Sequence, residues 1–411
     1  MDHLTFGGEL RRRRIAAGVS LARLADTLHY SKGYLSKIET GSRRPAMRLA
    51  RQADAVLEAG GALSALAGPG EPESVPDIRD TAALDRRALL DVGSALLLPL
   101  EVSKVDAAAM VEDERTERYF REQFDRCRTL GRRAPPGLVL RQLVVELQTL
   151  QELVEVAADP RARTRLLLLA ARYAEYAGWM AQEAGQSHAA LAWTRRSAVI
   201  ASSADDARLS AYALVREAEL AMYAHDPLRT VALARRARTD GRADARVRGL
   251  AAHREAQGHA LLGDHDACRT ALGEATVLLA EQGDSGPGDP VLGSSTVADL
   301  DLAVSGWCYY DLGRPGQAAE SLRVVLDRTP DSAMRARALY GARLALAYEA
   351  IGELDGMYEV GARVLADARP LGSATVRGEL RDLSRNLLRR SGHRPAAELQ
   401  AEINVALHHP P

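Results

Sequence analysis

At 411 residues, with 46% hydrophobic and 27% charged side chains, the chain has length for two or three globular domains and too much apolar content for a disordered polymer. Aromatics are only 4% while Ala, Leu and Arg abound, which favours helices over a β-rich fold; the longest apolar run, around Leu89–Leu100, is broken by Asp91 and too short to span a bilayer. The formal net charge of −1 is unevenly placed: residues 1–66 hold 11 Lys or Arg against 6 Asp or Glu, and the remainder 43 against 49, so a basic head precedes an acidic body.

Residues 4–17 read as a first helix, with Phe6, Leu10 and Ile15 inward and Arg11 to Arg14 mostly outward. That arginine run is either a phosphate-contacting patch or a solvated basic face. Ser20 can cap a second helix whose apolar side is Leu21, Leu24, Ala25 and Leu28. His29 and Tyr30 form a tight turn. Ser31 can cap a third helix with Leu35 and Ile38 inward, ended by Thr40-Gly41. Two short helices joined in this way form a helix-turn-helix. Lys32, Gly33, Ser36 and Lys37 then point out, and the basic loop Ser42, Arg43, Arg44 follows. A helix fits the major groove of B-DNA, and cations beside it neutralise phosphates. Pro45 stands where a fourth helix begins, with Met47, Leu49, Ala50, Ala53 and Val56 as its periodic face; a fifth helix over about 61–66 closes the head.

Residues 5–57 resemble the phage-repressor, or Xre-type, helix-turn-helix family. The match runs through Phe6-Gly7, Leu10-Arg11, Arg14, Gly18, Ser20, Leu24-Ala25, Ser31, Tyr34-Leu35-Ser36, Ile38-Glu39, Gly41, Arg43 and Pro45. The resemblance implies a structural pair between Arg14 and Glu39. It also implies sequence-specific binding of a double-stranded DNA operator by a homodimer. Lys32, Gly33, Ser36 and Lys37 would face base edges, Tyr34 would stand at the flank, and Ser20, Arg23, Ser31, Arg43 and Arg44 would hold phosphates. His29 replaces the family's turn glycine, and histidine tolerates the left-handed region better than β-branched residues do.

Residues 67–79, rich in Pro and Gly, read as a linker. Residues 80–110 are either a helix docking on the body or a dimer contact, so the expected domains are 1–66, a connecting segment 67–110, and 111–411. From about residue 112 the pattern is helical and repeats. Turns between paired helices fall at Gly185, His225-Asp226, Gly263-Asp264, Gly313-Arg314 and Gly352-Glu353, spaced by 40, 38, 50 and 39 residues. The long spacing contains a plain loop insertion, Asp284–Ser295. These units resemble tetratricopeptide repeats. The match is best in Gly306, Tyr309, Gly313, Ala318, Leu322 and Val325, then in Ala345, Tyr348, Gly352 and Val364. A different all-helical repeat would leave stacked hairpins standing. The expected fold is all-α: a five-helix helix-turn-helix domain followed by an α-solenoid of tetratricopeptide-like hairpins.

Such a stack makes a concave channel lined by the first helix of each pair. The repeat pattern puts Arg172, Glu175, Trp179 and Gln182 on that face, then Tyr212, Glu219 and Met222, then His253 and Gln257, then Trp307 and Tyr310, then Leu346 and Glu349. Trp179 and Trp307 there suggest an anchor surface for an extended peptide or a small apolar molecule; the rival reading is core between repeats. Head and body together resemble the peptide-sensing regulators of Gram-positive bacteria. That implies quorum sensing by a dimerising body that binds a signalling peptide or small molecule. Those sensors use asparagines to grip peptide backbone, and this body has only Asn386 and Asn404. A non-peptide effector, a partner protein or no effector therefore stays open, as does a plain tetratricopeptide interaction scaffold.

No enzyme, metal or cofactor is implied. There is no Gly-rich phosphate loop and no GxSxG elbow, and His253, His259 and His265, six apart, do not share a helix face. Cys127, Cys268 and Cys308 are scattered and no signal peptide leads the chain, so a reduced, cytoplasmic setting and no membrane partner are expected.

Overall fold

The computed structural model describes residues 5–28, 32–41, 47–57, 59, 62–66, 114–281, 292–293, 296–297, 299–390 and 392–408, and these form helices and turns without a strand. The expected His29-Tyr30 turn, the Ser31 cap, the loop Ser42–Arg44 with Pro45, the 67–79 linker, the 80–110 segment and most of the 284–295 insertion lie outside the described residues. The chain divides into two compact units, Met1–Leu97 and Leu98–Pro411.

The first unit holds α1 (Phe6–Ala16), α2 (Leu21–Leu28), α3 (Lys32–Glu39), α4 (Met47–Val56) and α5 (Ala62–Leu66). Thr5 starts α1 by accepting a hydrogen bond from the Gly8 amide at 3.2 Å. The expected apolar stripes meet in one core of Phe6, Leu10, Leu24, Ala25, Leu35, Ile38, Leu49, Ala50, Ala53 and Leu63. Gly7 explains its place in the motif: a Cβ there would lie 2.2 Å from the Ile38 carbonyl oxygen, so only glycine lets α1 lie on α3. Two expectations fail. Ile15 is 58% exposed, because the neighbouring Arg14 takes the inward position at the end of α1. Val56 is 41% exposed, and Leu57, one residue on, is buried in its stead.

The second unit begins with α6 (Glu114–Gly131) and α7 (Pro136–Val156). Five hairpins follow: α8 (Pro160–Glu183) with α9 (Ser187–Ser203), α10 (Ala207–Tyr223) with α11 (Pro227–Thr239), α12 (Ala245–Leu261) with α13 (His265–Ala280), α14 (Leu300–Asp311) with α15 (Pro315–Arg328), and α16 (Met334–Ile351) with α17 (Leu354–Leu371). The last pair is α18 (Ala374–Leu387) and α19 (Arg394–His408). All five expected turns carry a left-handed residue: Gly185, His225, Gly263, Gly313 and Gly352, with φ from 54° to 83°. In two of them an aspartate comes next, and Asp226 and Asp264 cap the second helix by accepting from Arg229 and Ala267 amides.

First helices pack on first helices, α8 through α18 in even steps, and form the inner layer; second helices form the outer one. Close crossing needs small residues. A Cβ at Gly306 would come within 2.9 Å of Leu322 Cγ, and one at Gly341 within 2.6 Å of Val364 Cγ2. Ala318, Leu322 and Val325 are buried as the repeat pattern requires.

The stack also closes on itself. Arg335, at the start of α16, donates from Nη1 to Glu183 Oε2 at 2.6 Å, from Nε to the Gly131 carbonyl at 3.0 Å and from Nη2 to the Ala134 carbonyl at 2.7 Å. Ser373 and Thr375 donate to the same Glu183 carboxylate at 2.5 and 2.7 Å. The end of α6, the end of α8 and the starts of α16 and α18 are thus tied at one buried knot.

Candidate nucleic-acid interface and interior cavity

In the head, the Ser20 hydroxyl accepts from the Arg23 amide at 3.2 Å and starts α2; Arg23 itself is exposed. Helical geometry sets positions 33, 36 and 37 opposite the buried Leu35 and Ile38, with 32 and 34 at the flanks. Ser36 is exposed on that face. Lys32, Gly33, Tyr34 and Lys37 belong to α3, but their side chains, and all of Ser31, Arg43 and Arg44, lie outside the described residues.

One ion-pair system ties α1 to the recognition helix, and a second lies within α1. Arg14 donates from Nε to Glu39 Oε1 at 2.6 Å, from Nη2 to Glu39 Oε2 at 3.0 Å and from Nη1 to the Val19 carbonyl at 3.0 Å. This is the pair that the family resemblance implies. Glu9 was not anticipated. It is buried, and Arg12 and Arg13 donate to it at 2.6–2.7 Å, which holds its carboxyl down at about 2. Half of the arginine run therefore answers Glu9; the signal was its spacing of three and four residues before them.

The inner layer of the second unit encloses a cavity of about 200 Å³. Eight of the thirteen expected channel residues line it: Arg172, Glu175, Trp179, Tyr212, Glu219, His253, Gln257 and Trp307. The reason is the inner-layer geometry, which aims the same face of α8, α10, α12 and α14 at one space. Glu219 Oε2 is held by Arg216 Nη1 and lies 3.4 Å from Arg254 Nη2. Burial pushes the Glu219 carboxyl up, but these two guanidinium groups pull harder and its net shift is downward. Arg172 Nη1 lies 3.6 Å from Glu175. His253 Nε2 stands 2.8 Å from Asp301 Oδ1, and burial holds the imidazole below its ordinary value against that carboxylate's pull. Trp307 receives the Arg343 guanidinium on its ring at 3.7 Å.

The other five residues are placed differently. Leu346 is core, 1% exposed, packed with Ala342 and Leu380. Glu349 accepts from Arg390 Nε at 2.9 Å. Tyr310 sits beside the Arg343 guanidinium, 5.7 Å from its ring centre. Gln182 and Met222 face a second groove, with Arg343 and Glu379. By α16 the first-helix face is buried against α18, so the pattern that works for α8 to α14 no longer points into the channel.

The sequence reading missed Arg216, Arg254, Tyr340 and the insertion's end as walls of the cavity. Gly293, Thr296 and Val297 line it, and Leu292 is 1% exposed, its carbonyl accepting from Arg246 Nε at 2.7 Å. The insertion is thus more than a plain loop. Among the described residues no three His, Cys, Asp or Glu side chains gather as a metal site, and Cys127, Cys268 and Cys308 are buried free thiols.

In the second groove, Arg343 reaches Asp311 at 2.8 Å and Glu379 at 2.9 Å. Burial nevertheless pushes the Glu379 carboxyl up to about 7, helped by Asp382 and Asp311 and opposed by Arg343. The unfolded chain releases this proton near 4.5, so between 4.5 and 7 the folded chain binds more protons and stability falls as pH rises. Glu379→Gln is expected to flatten that fall in the unfolding midpoint. Identical slopes in wild type and variant would show that Glu379 does not set it.

Among the described residues, fold and geometry define an all-helical protein in which a head of five helices precedes a closed stack of helical hairpins. A family model described as "Helix-turn-helix domain" matches residues 5–67, and the head is a helix-turn-helix domain. No curated protein matches the chain. Among solved structures, PlcR of Bacillus thuringiensis in complex with the peptide PapR7 and DNA is 11% identical, over 86% of this chain and 98% of that one. Its TM-score of 0.34 is a level at which a shared fold is not established.

Proposed function

We propose that the protein is a non-enzymatic, cytoplasmic, DNA-binding transcriptional regulator that acts as a homodimer. Its head reads a double-stranded operator, and its repeat body pairs two copies and holds an effector in the inner cavity. The observation that carries the first part is the match of residues 5–67 to a helix-turn-helix domain, with α2 and α3 folded on the core its motif requires. One short recognition helix sees few base pairs, which is the physical case for a dimer. The cavity supports the effector, since a walled space with charged and aromatic sides is what ligand sites look like. Among the described residues no helix is long and apolar enough to cross a membrane.

A DNA-shift assay against random and genomic duplexes at moderate salt tests the reading. The double variant Lys32→Ala, Lys37→Ala is expected to lose about 10- to 100-fold in affinity, the cost of one or two groove contacts. Undiminished binding by that variant would reject α3 as the reading helix. No DNA binding by the wild type would favour an interaction scaffold.

A further inference from the structure

The cavity has a charge imbalance at its centre. Arg216 and Arg254 share the one carboxylate of Glu219, so two cations meet one anion. Their other bonds go to neutral groups: Arg216 Nη2 donates to Gln182 Oε1 at 2.7 Å, and Arg254 Nη1 to Gln257 Oε1 at 2.6 Å. The Nε–H of each is buried and meets no acceptor among the described residues. Arg216 is only 3% exposed. The remaining buried pairs around the space are balanced, Arg172 with Glu175 and Arg335 with Glu183. A buried cation without a counter-ion is costly, and guanidinium N–H groups match the geometry of a carboxylate.

The walls beside this centre are flat and apolar. Trp179, Tyr212 and Trp307 line the same space, and the far side of the site is completed by Gly293, where a Cβ would crowd Leu250 at 3.0 Å. A volume of about 200 Å³ lies below the roughly 300–1,000 Å³ of pockets for drug-sized ligands.

We infer that the effector is a small organic monoanion: one carboxylate seated against Arg216 and Arg254, carried on a single flat or aromatic body between Trp179, Tyr212 and Trp307. The inference rests on the reading of the body as an effector-binding module and names the ligand's chemical class.

The test uses the full chain and three probes, benzoate, phenylacetate and indole-3-acetate, each beside its uncharged amide at matched ionic strength. At least one acid is expected to raise the midpoint of thermal unfolding by about 2 °C or more at millimolar concentration, by simple ligand linkage, while its amide does not. Arg254→Gln, which keeps a polar group beside Glu219, is expected to weaken that acid by at least tenfold in calorimetric titration. Arg216→Lys serves as the second variant if the first does not fold. Acids that do no better than their amides, or an acid that a folded variant binds as tightly as wild type, would overturn the inference. An unblocked hexapeptide that raises the midpoint where no acid does would also overturn it. The DNA-shift assay is read separately. Acid binding without DNA binding removes the regulator reading and keeps the site, whereas DNA binding without acid binding does the reverse.

Discussion

Arg335→Ala is expected to cost the second unit about 3–5 kcal/mol of stability, the usual price of stranding one member of a buried ion pair. Arg335 and Glu183 are 5% and 3% exposed. The substitution strands the Glu183 carboxylate beside Ser373 and Thr375, and leaves the Gly131 and Ala134 carbonyls without a donor. The loss also opens the ring. The bonds concerned join residues 152 to 204 positions apart, and no other described ion pair spans as far. The measurement is urea unfolding followed by helical circular dichroism: the midpoint of the major transition should fall while its slope is kept. Arg335→Met with Glu183→Leu, which removes both charges and keeps volume, should recover much of the loss. A single variant as stable as the wild type would mean that the closure is incidental.

The second large effect is expected in the head. Arg14→Ala breaks a two-pronged pair whose side chains are 12% and 7% exposed and removes the donor to the Val19 carbonyl at the entrance to α2. A loss of about 3 kcal/mol or more is a large share of the stability of so small a unit. DNA binding should vanish because α3 loses its anchor at Glu39. Arg14→Lys should rescue little, since an ammonium cannot make both bonds to the carboxylate and reach Val19 as well. Trypsin digestion of the full chain gives the readout: cleavage within residues 5–66 should accelerate while the 114–408 region is protected as before. Wild-type protection in Arg14→Ala would remove the pair from the account of the head.

Much of this organisation was legible before any coordinates. Left-handed turns at Gly185, Gly263, Gly313 and Gly352 follow from glycine's lack of a Cβ, and His225 could be placed among them only because the repeat spacing demanded a turn there. The Arg14–Glu39 pair followed from a motif shared with a family. Trp179, Tyr212 and Glu219 could be aimed at the channel because one helix face repeats every 3.6 residues. The same rule misplaced Leu346 and Glu349, because periodicity reports which face of a helix is covered and is silent on what covers it. At α16 the cover is α18 and the segment around Arg390.

The sequence alone determined the class of each described element: helices, a turn wherever glycine or its substitute breaks the period, a basic head and an acidic body. These are local properties, set by side-chain branching, backbone freedom and the spacing of apolar residues. Only the tertiary structure decided that the hairpins close through Arg335 and Glu183, that Arg216 and Arg254 converge on one carboxylate, and that Gly293, Thr296 and Val297 return to wall the cavity. Apart from Arg216 and Glu219, three residues apart on α10, those partners come from separate helices, or from opposite ends of the body. Which charge meets which across such distances depends on how a small rotation per hairpin accumulates around the ring, and no window of sequence carries that sum.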